Sequence, residues 1–511
     1  MNLNRRHFLL GSAASVALVG SASTKIAPRK LAAGEKANVA MIGLGIQGRT
    51  ALLPQFLGQY DRGAKVVVCC DCDKDRREDG AKRVDDYYSK RKIQSACKAV
   101  ADFRDVLKDP TIDMVCIATP DHWHAYIAVE AMKAGKDVYC EKPLTFSIDE
   151  ARKVIAAQEK YGRVFQTGSM QRSWPVFRTA CMIVRNGLIG DIKYVDANYG
   201  RGGSKLGGPS HPIRFFDDPK NAATEGAPNP NVDWDMWLGP AKWRAYSDQL
   251  APRGVNKFYP MFWRFDDDFG TGYNGDWGAH HLDIAQWGMD MDKSGPYKII
   301  RSDEPYSTDH YHGCRRQFGM KMLFKSPTGD IELYDGPFGT WGTVFYGTKG
   351  VVAVNRGKIA VWEGTLVKPT AEVRRALADM KPVAGLTLVA ASVGKDYGTD
   401  SSDKKDDRLT STLKTLCAKY DLEHAKVQLY KSPNQVQNFV ECYFSRKPTI
   451  SPAEVGGRGS ILCGLCNMSY VYDTGFGWDP VKMDFPEGCS CRKMGLSLKR
   501  EFSRNGWEVV V

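Results

Sequence analysis

The sequence predicts an α/β protein whose N-terminal part is a doubly wound parallel sheet, and three observations carry that prediction. Short apolar runs alternate with helical patterns, a glycine-rich turn joins the first run to the first helix, and a carboxylate ends the second run about 20 residues later. The length of 511 residues fits two or three domains. Hydrophobic residues at 43% and charged residues at 25% are globular values, while 50 Gly and 25 Pro fall short of low-complexity composition, so wholesale disorder and collagen are excluded. The 71 basic side chains exceed the 59 acidic ones, giving +12, but both are interleaved, and no nucleic-acid partner is expected.

The chain opens on Asn4-Arg5-Arg6-His7-Phe8-Leu9-Leu10, with two arginines ahead of an apolar stretch from Phe8 to Gly20 and then Ser21-Ala22-Ser23. These are the n-, h- and c-regions of a signal peptide. About a dozen apolar residues are too few to span a bilayer, so no stable membrane span is expected, and paired arginines followed by Phe8 are the twin-arginine form. Export of the folded chain by the twin-arginine machinery to the periplasm, or another extracytoplasmic space, is the expectation. An ordinary Sec signal or a retained anchor is the alternative. Small residues reach Ala32-Ala33, which leaves the cleavage site open and assigns residues 1–33 to signal and linker.

Asn38 to Ile42 reads as a strand, and it runs into Gly43-Leu44-Gly45-Ile46-Gln47-Gly48 and a helical pattern from Ala51. Such glycines turn the backbone sharply, let it approach a pyrophosphate, and present helix N-terminal amides to the anion. The second strand, Lys65 to Cys70, ends in Asp71, where a carboxylate can accept both ribose hydroxyls and would repel a 2′-phosphate. NAD is therefore expected rather than NADP. The alternation continues through Asp113 to Ala118, a helix from about Trp123 to Ala134 closed by Gly135, and a strand from Asp137 to Cys140. A capping box of Ser147 and Glu150 opens a helix to Tyr161 that stops at Gly162, and the strand Arg163 to Gln166 ends the unit, which is placed at residues 34–167.

Strand tips of an open α/β sheet hold its ligands, and here they carry Thr119-Pro120-Asp121-His122-Trp123-His124 and Glu141-Lys142-Pro143. A lysine beside a nicotinamide can hydrogen-bond a substrate hydroxyl and stabilise its alkoxide character. Farther on, Asp276, His280 and Asp283 are spaced to share one helical face, so that Asp276 would orient His280, raise its pKa and make it a general base. Adjacent histidines diverge by about 100° on a helix, so His280 and His281 do not readily share a metal ion, and no metal is assigned. Most of the 14 cysteines lie in strand-like apolar runs and read as buried thiols. The pairs Cys463/Cys466 and Cys489/Cys491 have zinc-like spacing. The first lies in an apolar run that reads as a buried helix, and a disulfide involving Cys489 or Cys491 is expected.

These motifs, Gly43-x-Gly45-x-x-Gly48, Asp71, Thr119-Pro120-Asp121-x-x-His124, Glu141-Lys142-Pro143 and Asp276-x-Gly278-x-His280-x-x-Asp283, resemble in order those of the Gfo/Idh/MocA oxidoreductases, the relatives of glucose-fructose oxidoreductase and inositol dehydrogenase. Gly168 to Ser173, Asp233 to Pro240 and Trp478-Asp479-Pro480 look like its exported, twin-arginine branch. The resemblance implies a Rossmann domain followed, over residues 168–511, by an α/β domain built on a large open, mainly antiparallel sheet, with the active site between them. Runs at Ile192 to Tyr199, Met320 to Phe324, Asp330 to Tyr334, Thr343 to Phe345 and Val351 to Val354 suit that sheet. By carry-over Lys142 is the catalytic lysine, His280 the proton acceptor and Asp276 its partner. Asp121, His124 and Glu141 would line the nicotinamide end, and Gln171, Arg172, Trp263 and Arg264 are pocket candidates. A homodimer or homotetramer joined through the sheet's open face is implied. Insertions near 200–256 and 367–432 are longer than a compact second domain needs and would decorate the pocket or a subunit interface.

The function so implied is removal of hydride from a secondary hydroxyl of a sugar, glycoside or polyol, with C3 the expected carbon. Trp123, Trp234, Trp263 and Trp277 offer faces for stacking a sugar. Export away from cytoplasmic NAD requires the cofactor to be tightly held and regenerated in place. Two rivals share these residues: a redox-assisted glycosidase resembling NAD-dependent α-N-acetylgalactosaminidases, and a catalytically silent NAD- and sugar-binding regulatory protein.

Overall fold

The apolar run before the glycine turn forms the central strand of the first sheet. The computed structural model describes residues 26–199, 226–255, 262–301, 320–336, 342–366, 368–393, 407–472, 474–500 and 503–511. Residues 1–25 of the expected signal and linker (1–33), residues 200–225 and 256 of the first insertion, and residues 367 and 394–406 of the second lie outside the described residues. Strands β1 (Ala37–Ile42), β2 (Ala64–Cys70), β3 (Lys98–Val100), β4 (Met114–Ile117), β5 (Asp137–Cys140) and β6 (Phe165–Thr167) pair in parallel in the order β3-β2-β1-β4-β5-β6. Strand β4 is an unbroken apolar run, and both β4 and β5 are buried throughout, as strands of a parallel sheet covered on both faces should be. Helices Leu53–Leu57 and Lys74–Lys90 cover one face, and Phe103–Lys108, Asp121–Lys133 and Ile148–Tyr161 the other. The Ser147/Glu150 capping box is formed, and Gly162 closes its helix at φ 62°.

The chain crosses the expected boundary at residue 168. The helix after β6, Pro175–Arg185, leaves for the second sheet, so part of the first sheet's face lacks a local cover. Helix Gln435–Ser445 supplies it, packing Val436, Phe439, Val440 and Tyr443 into the core beside Phe56 and Tyr139. Each such side chain contributes roughly 1.5–3 kcal/mol by leaving water. The tail returns as well, with Val509 and Trp507 packed beside Phe103 and Trp123.

The second sheet has nine strands: β7 (Ile192–Asn198), β8 (Lys298–Arg301), β9 (Met320–Ser326), β10 (Gly329–Gly336), β11 (Gly342–Gly347), β12 (Gly350–Asn355), β13 (Lys358–Glu363), β14 (Thr387–Val393) and β15 (Phe476–Gly477). Their order is β14-β13-β12-β11-β7-β10-β9-β8-β15, and only β7 with β10 is parallel among the pairs. Its inner face packs on helices Pro175–Arg185, Ala279–Gly288 and Ala453–Val471. The outer face is not wholly open. Helix Ala371–Ala378, from the second insertion, lays Leu377 and Ala378 on Val344, Tyr346 and Trp362, and its buried Arg374 pairs with Asp196 of β7.

Cys463 and Cys466 are buried thiols within helix Ala453–Val471, and the late disulfide joins Cys489 to Cys491. Among the described residues no helix is long and apolar enough to cross a membrane.

Candidate active site

A cleft opens at the C-terminal ends of β1, β2, β4 and β5, and the second sheet's helices form its far wall. From the first domain it is lined by Gly43, Gly45, Ile46, Gln47, Asp71, Thr119, Pro120, Asp121, His124, Glu141 and Lys142. Gly48 lies behind this lining. At Gly43, φ is +89°, and a Cβ there would stand 2.6–2.7 Å from the backbone of Ala118 and Thr119. A Cβ on Gly48 would meet the Gly43 carbonyl oxygen at 2.1 Å, whereas one on Gly45 would meet nothing within 4 Å and would occupy the cleft itself. The turn is therefore shaped for a backbone that a ligand approaches closely. The Leu44 amide donates to Asp71 Oδ2 at 2.7 Å and the Asp73 amide to Oδ1 at 2.9 Å, which fixes this carboxylate while leaving lone pairs for ribose hydroxyls. Thr119 Oγ1 is buried and unpartnered. This set of residues fits a dinucleotide.

His124 spans two strand tips, its Nδ1 2.7 Å from the Pro143 carbonyl oxygen and its Nε2 2.9 Å from that of Thr119. Gln47 donates to Glu141 Oε1 at 3.2 Å, and Thr271 donates through its amide and hydroxyl to Asp121 Oδ2. Burial pushes both the Glu141 and Asp121 carboxyls up.

At the other end of the cleft, Lys142 Nζ donates to the Asp276 carbonyl oxygen at 2.7 Å and to its Oδ1 at 2.9 Å. An ammonium has three donors, so one remains for a substrate oxygen. Arg264 Nε is 3.4 Å from the same Oδ1. Burial works against ionisation of Asp276, but these two cations outweigh it and hold the carboxyl down at about 2. The expected Asp276–His280 couple is not formed. Asp276 lies on the π-helical turn Asn274–Gly278 and is claimed by two full positive charges, against which a neutral imidazole does not compete. His280 heads helix Ala279–Gly288, lines the cleft and has an unpartnered Nδ1. Its pKa is lowered rather than raised, by burial first and then by the charges of Arg356 and Lys142. The ring is neutral. Asp283 does not share this face, because its carboxylate is bound by Arg172 at 2.8 Å.

Two pocket expectations need correction. Arg172 is 1% exposed and held between Asp283 and Asp292, so it braces the helix behind the cleft. Gln171 also stands behind the lining, donating to the His280 carbonyl oxygen at 3.3 Å and accepting from Arg356 Nε at 3.0 Å. Both are already tied by hydrogen bonds. Trp263 and Arg264 do line the cleft, as do Trp123 and Trp277, whereas Trp234 stacks on Trp237 with ring centres 4.8 Å apart. His281 is buried against Trp277 and takes no part in the lining.

Sequence reasoning missed Met170 and Arg356, and it left open whether the first insertion decorates the pocket or an interface; residues 229–252 of it form a strap at the cleft. The strap puts Met236, Trp237 and Leu250 into the cleft wall beside Arg76. It is stitched to the tip of β2 by Lys74 donating to the Asn231 carbonyl at 2.8 Å, Asp233 to that of Cys72 at 3.1 Å, and Arg76 Nη2 to that of Pro252 at 2.8 Å. It is tied to helix Asp121–Lys133 by Trp123 Nε1, which donates to the Met236 carbonyl at 3.1 Å. Arg356 occupies the turn between β12 and β13, where Asn355-Arg356-Gly357-Lys358 is a hairpin signal that says nothing of what the turn faces.

The sequence matches the description "Oxidoreductase family, NAD-binding Rossmann fold" over residues 37–169 and "Oxidoreductase family, C-terminal alpha/beta domain" over residues 214–322. Over those two stretches the chain matches the Gfo/Idh/MocA oxidoreductase family. It is similar to a glycosyl hydrolase family 109 protein of Shewanella pealeana, 27% identical over 39% of this chain and 46% of that one. It is also similar to an inositol 2-dehydrogenase of Rubrobacter xylanophilus, 31% identical over 31% of this chain and 42% of that one. The chain spans between a quarter and a half of the length of the curated relatives it matches. Its fold is that of an NAD binding oxidoreductase from Klebsiella pneumoniae, with a TM-score of 0.53, 18% identity, and 86% of this chain and 99% of that one covered.

Proposed function

We propose that this protein is an exported NAD-dependent oxidoreductase that oxidises a secondary hydroxyl, with C3 as the carbon, of a sugar, glycoside or polyol. The observation that carries the reading is the meeting of Lys142, held by Asp276, with neutral His280 at the end of a cleft that begins at the glycine turn and Asp71. When bound there, NAD supplies the acceptor for the hydride that leaves the carbinol carbon. The third Lys142 N–H binds the substrate oxygen and stabilises negative charge on it as the carbonyl forms. His280 takes the hydroxyl proton, and Asp276 keeps the Lys142 ammonium in place. Asp71 favours NAD over NADP. The strap over the cofactor end supports tight retention, which the export signal at Arg5-Arg6 makes necessary. Twin-arginine export to the periplasm, and a homodimer or homotetramer through the uncovered part of the second sheet's outer face, complete the proposal.

A redox-assisted glycosidase is the second reading, favoured by the likeness to a glycosyl hydrolase family 109 protein. There transient C3 oxidation would acidify C2–H and let the aglycone leave. The test is to purify the protein without added cofactor and follow reduced-nicotinamide absorbance as chromogenic glycosides are added. Lasting reduction with the glycoside intact identifies the dehydrogenase, and aglycone release without lasting reduction identifies the glycosidase. Sugar binding with neither signal would sink both and leave a silent binding protein.

The base makes a pH prediction. His280 is lowered from its ordinary value of 6.5, and the reaction needs its neutral form, so activity is lost only as pH falls through that lowered value. The acidic limb of kcat/KM for a neutral sugar is therefore expected below pH 6.5. A limb above neutrality would mean that another group accepts the proton.

A further inference from the structure

A polar side chain buried in an apolar helix needs partners, and Asn467 is such a residue. It is 6% exposed in helix Ala453–Val471, among the buried Leu462, Leu465, Cys466 and Met468. Both ends of its amide are spent on one segment of chain. Nδ2 donates to the Thr271 carbonyl oxygen at 3.0 Å, and Oδ1 accepts from Asn274 Nδ2 at 2.7 Å. Asn274 Oδ1 in turn accepts from the Tyr199 hydroxyl, just past β7, at 2.9 Å. On the other side, the Thr271 amide and hydroxyl donate to Asp121 Oδ2 at 3.3 Å and 3.1 Å. Hydrogen bonds thus run from the second sheet, through Asn274, Asn467 and Thr271, to a strand tip of the first.

What the segment carries makes the amide matter. Lys142 Nζ is bound twice by Asp276, at 2.9 Å through Oδ1 and at 2.7 Å through the backbone carbonyl oxygen. The lysine is therefore placed by where the backbone of the π-helical turn Asn274–Gly278 lies, and not only by a carboxylate free to follow it. His280 stands at the head of the next helix, Ala279–Gly288. The turn also sits close against its supports. A Cβ on Gly275 would meet Thr271 Oγ1 at 1.6 Å, and one on Gly278 would meet the Tyr199 ring at 3.0 Å.

We infer that Asn467 is a positioning residue of the reaction: its amide fixes the turn on which Asp276 holds Lys142 and from which the His280 helix starts, and so sets the spacing between hydrogen-bond donor and base. The inference rests on the oxidoreductase reading above and deepens it. Asn467 acts through Thr271 and Asn274, at a distance from the reacting atoms. A planar amide donates to one partner and accepts from the other at once. Leucine has nearly the same shape and does neither, which takes that partner from the Thr271 carbonyl and from Asn274 Nδ2. Serine is too short to bridge the two and leaves space for a water, which satisfies both groups without fixing their separation.

The test compares the parent with Asn467→Leu and Asn467→Ser, each full-length and carrying its cofactor. One readout needs no substrate: acetylation of Lys142 by acetic anhydride, followed by mass spectrometry against the exposed Lys82 and Lys108 as internal references. Lys142 should react faster in both variants, because it is no longer held against Asp276, while the reference lysines stay unchanged. The other readout is reduction of bound nicotinamide by whichever chromogenic glycoside the parent uses best. Here kcat per cofactor-loaded site should fall by about tenfold to a hundredfold with KM little changed, the loss that a displacement of about 1 Å brings. Activity that falls only in step with cofactor content, with the rate per loaded site and the labelling of Lys142 unchanged, would make Asn467 a packing residue and overturn the inference while the oxidoreductase reading stands. Faster labelling of Lys142 in the variants, with no glycoside reducing nicotinamide in the parent, would uphold the placing of Lys142 by Asn467 and defeat the oxidoreductase reading. The serine variant decides the matter even if the leucine variant does not fold.

Discussion

Lys142→Met is expected to lower kcat by about a hundredfold to ten-thousandfold while the protein stays folded and keeps its cofactor. Methionine matches the length of the lysine stem but removes both the donor to the substrate oxygen and the charge that stabilises it. The fold should survive, because Asp276 keeps Arg264 at 3.4 Å and is not left as a lone buried carboxylate. The readouts are reduction of bound nicotinamide in a single turnover with saturating sugar, cofactor content, and melting temperature. Loss of less than about tenfold would remove Lys142 from the chemistry. A double variant, Lys142→Met with Asp276→Asn, separates the two roles of the pair. It restores charge balance, so it should recover any lost stability, and it should remain as inactive as the single variant.

That ion pair also marks where the sequence stopped being legible. The Rossmann half could be read because each element carries its own local signal: the glycines at 43, 45 and 48, the Ser147/Glu150 box, and Gly135 and Gly162 after their helices. The site residues on strand tips could be read for the same reason, since an open α/β sheet fixes where its tips point. Spacing on a helix says which groups can meet, not which partner wins. Asp276 is four residues from His280, but it is taken by Lys142, which is 134 residues away in the chain. Strand β8 is not marked by its own residues, because its edge is completed by β15, which lies about 175 residues farther along the chain. The place of Arg356, and which of pocket or interface the first insertion decorates, belong to the same class. Each is defined by contacts across the cleft, and no local pattern of residues encodes them.

Gly43→Val is expected to yield a folded protein that has lost its NAD. A valine Cβ at φ +89° would stand 2.6 Å from the Ala118 carbonyl carbon and 2.7 Å from the Thr119 nitrogen, both backbone atoms that cannot rotate away. The left-handed conformation costs about 1–2 kcal/mol and the overpacking about 1–3 kcal/mol, against a domain stability of about 5–15 kcal/mol, so the sheet survives. The cradle does not, since β1 and β4 must separate at the tips that hold the turn. Losing two charge-assisted hydrogen bonds to a pyrophosphate, at about 1.5–3 kcal/mol each, weakens binding by about a hundredfold or more. NAD recovered per chain after gel filtration, with the melting temperature as control, is the measurement, and full occupancy in the variant would refute the assigned cradle. Arg76→Ala gives the complementary result. It removes the bond to the Pro252 carbonyl and the pairing with Asp73 at 3.2 Å, and so loosens the strap while the glycine turn stays intact. NAD should then still bind but exchange on dialysis, whereas the parent protein retains it. Affinity would thus belong to the glycine turn and residence time to the strap, the division of labour that the proposed export would require.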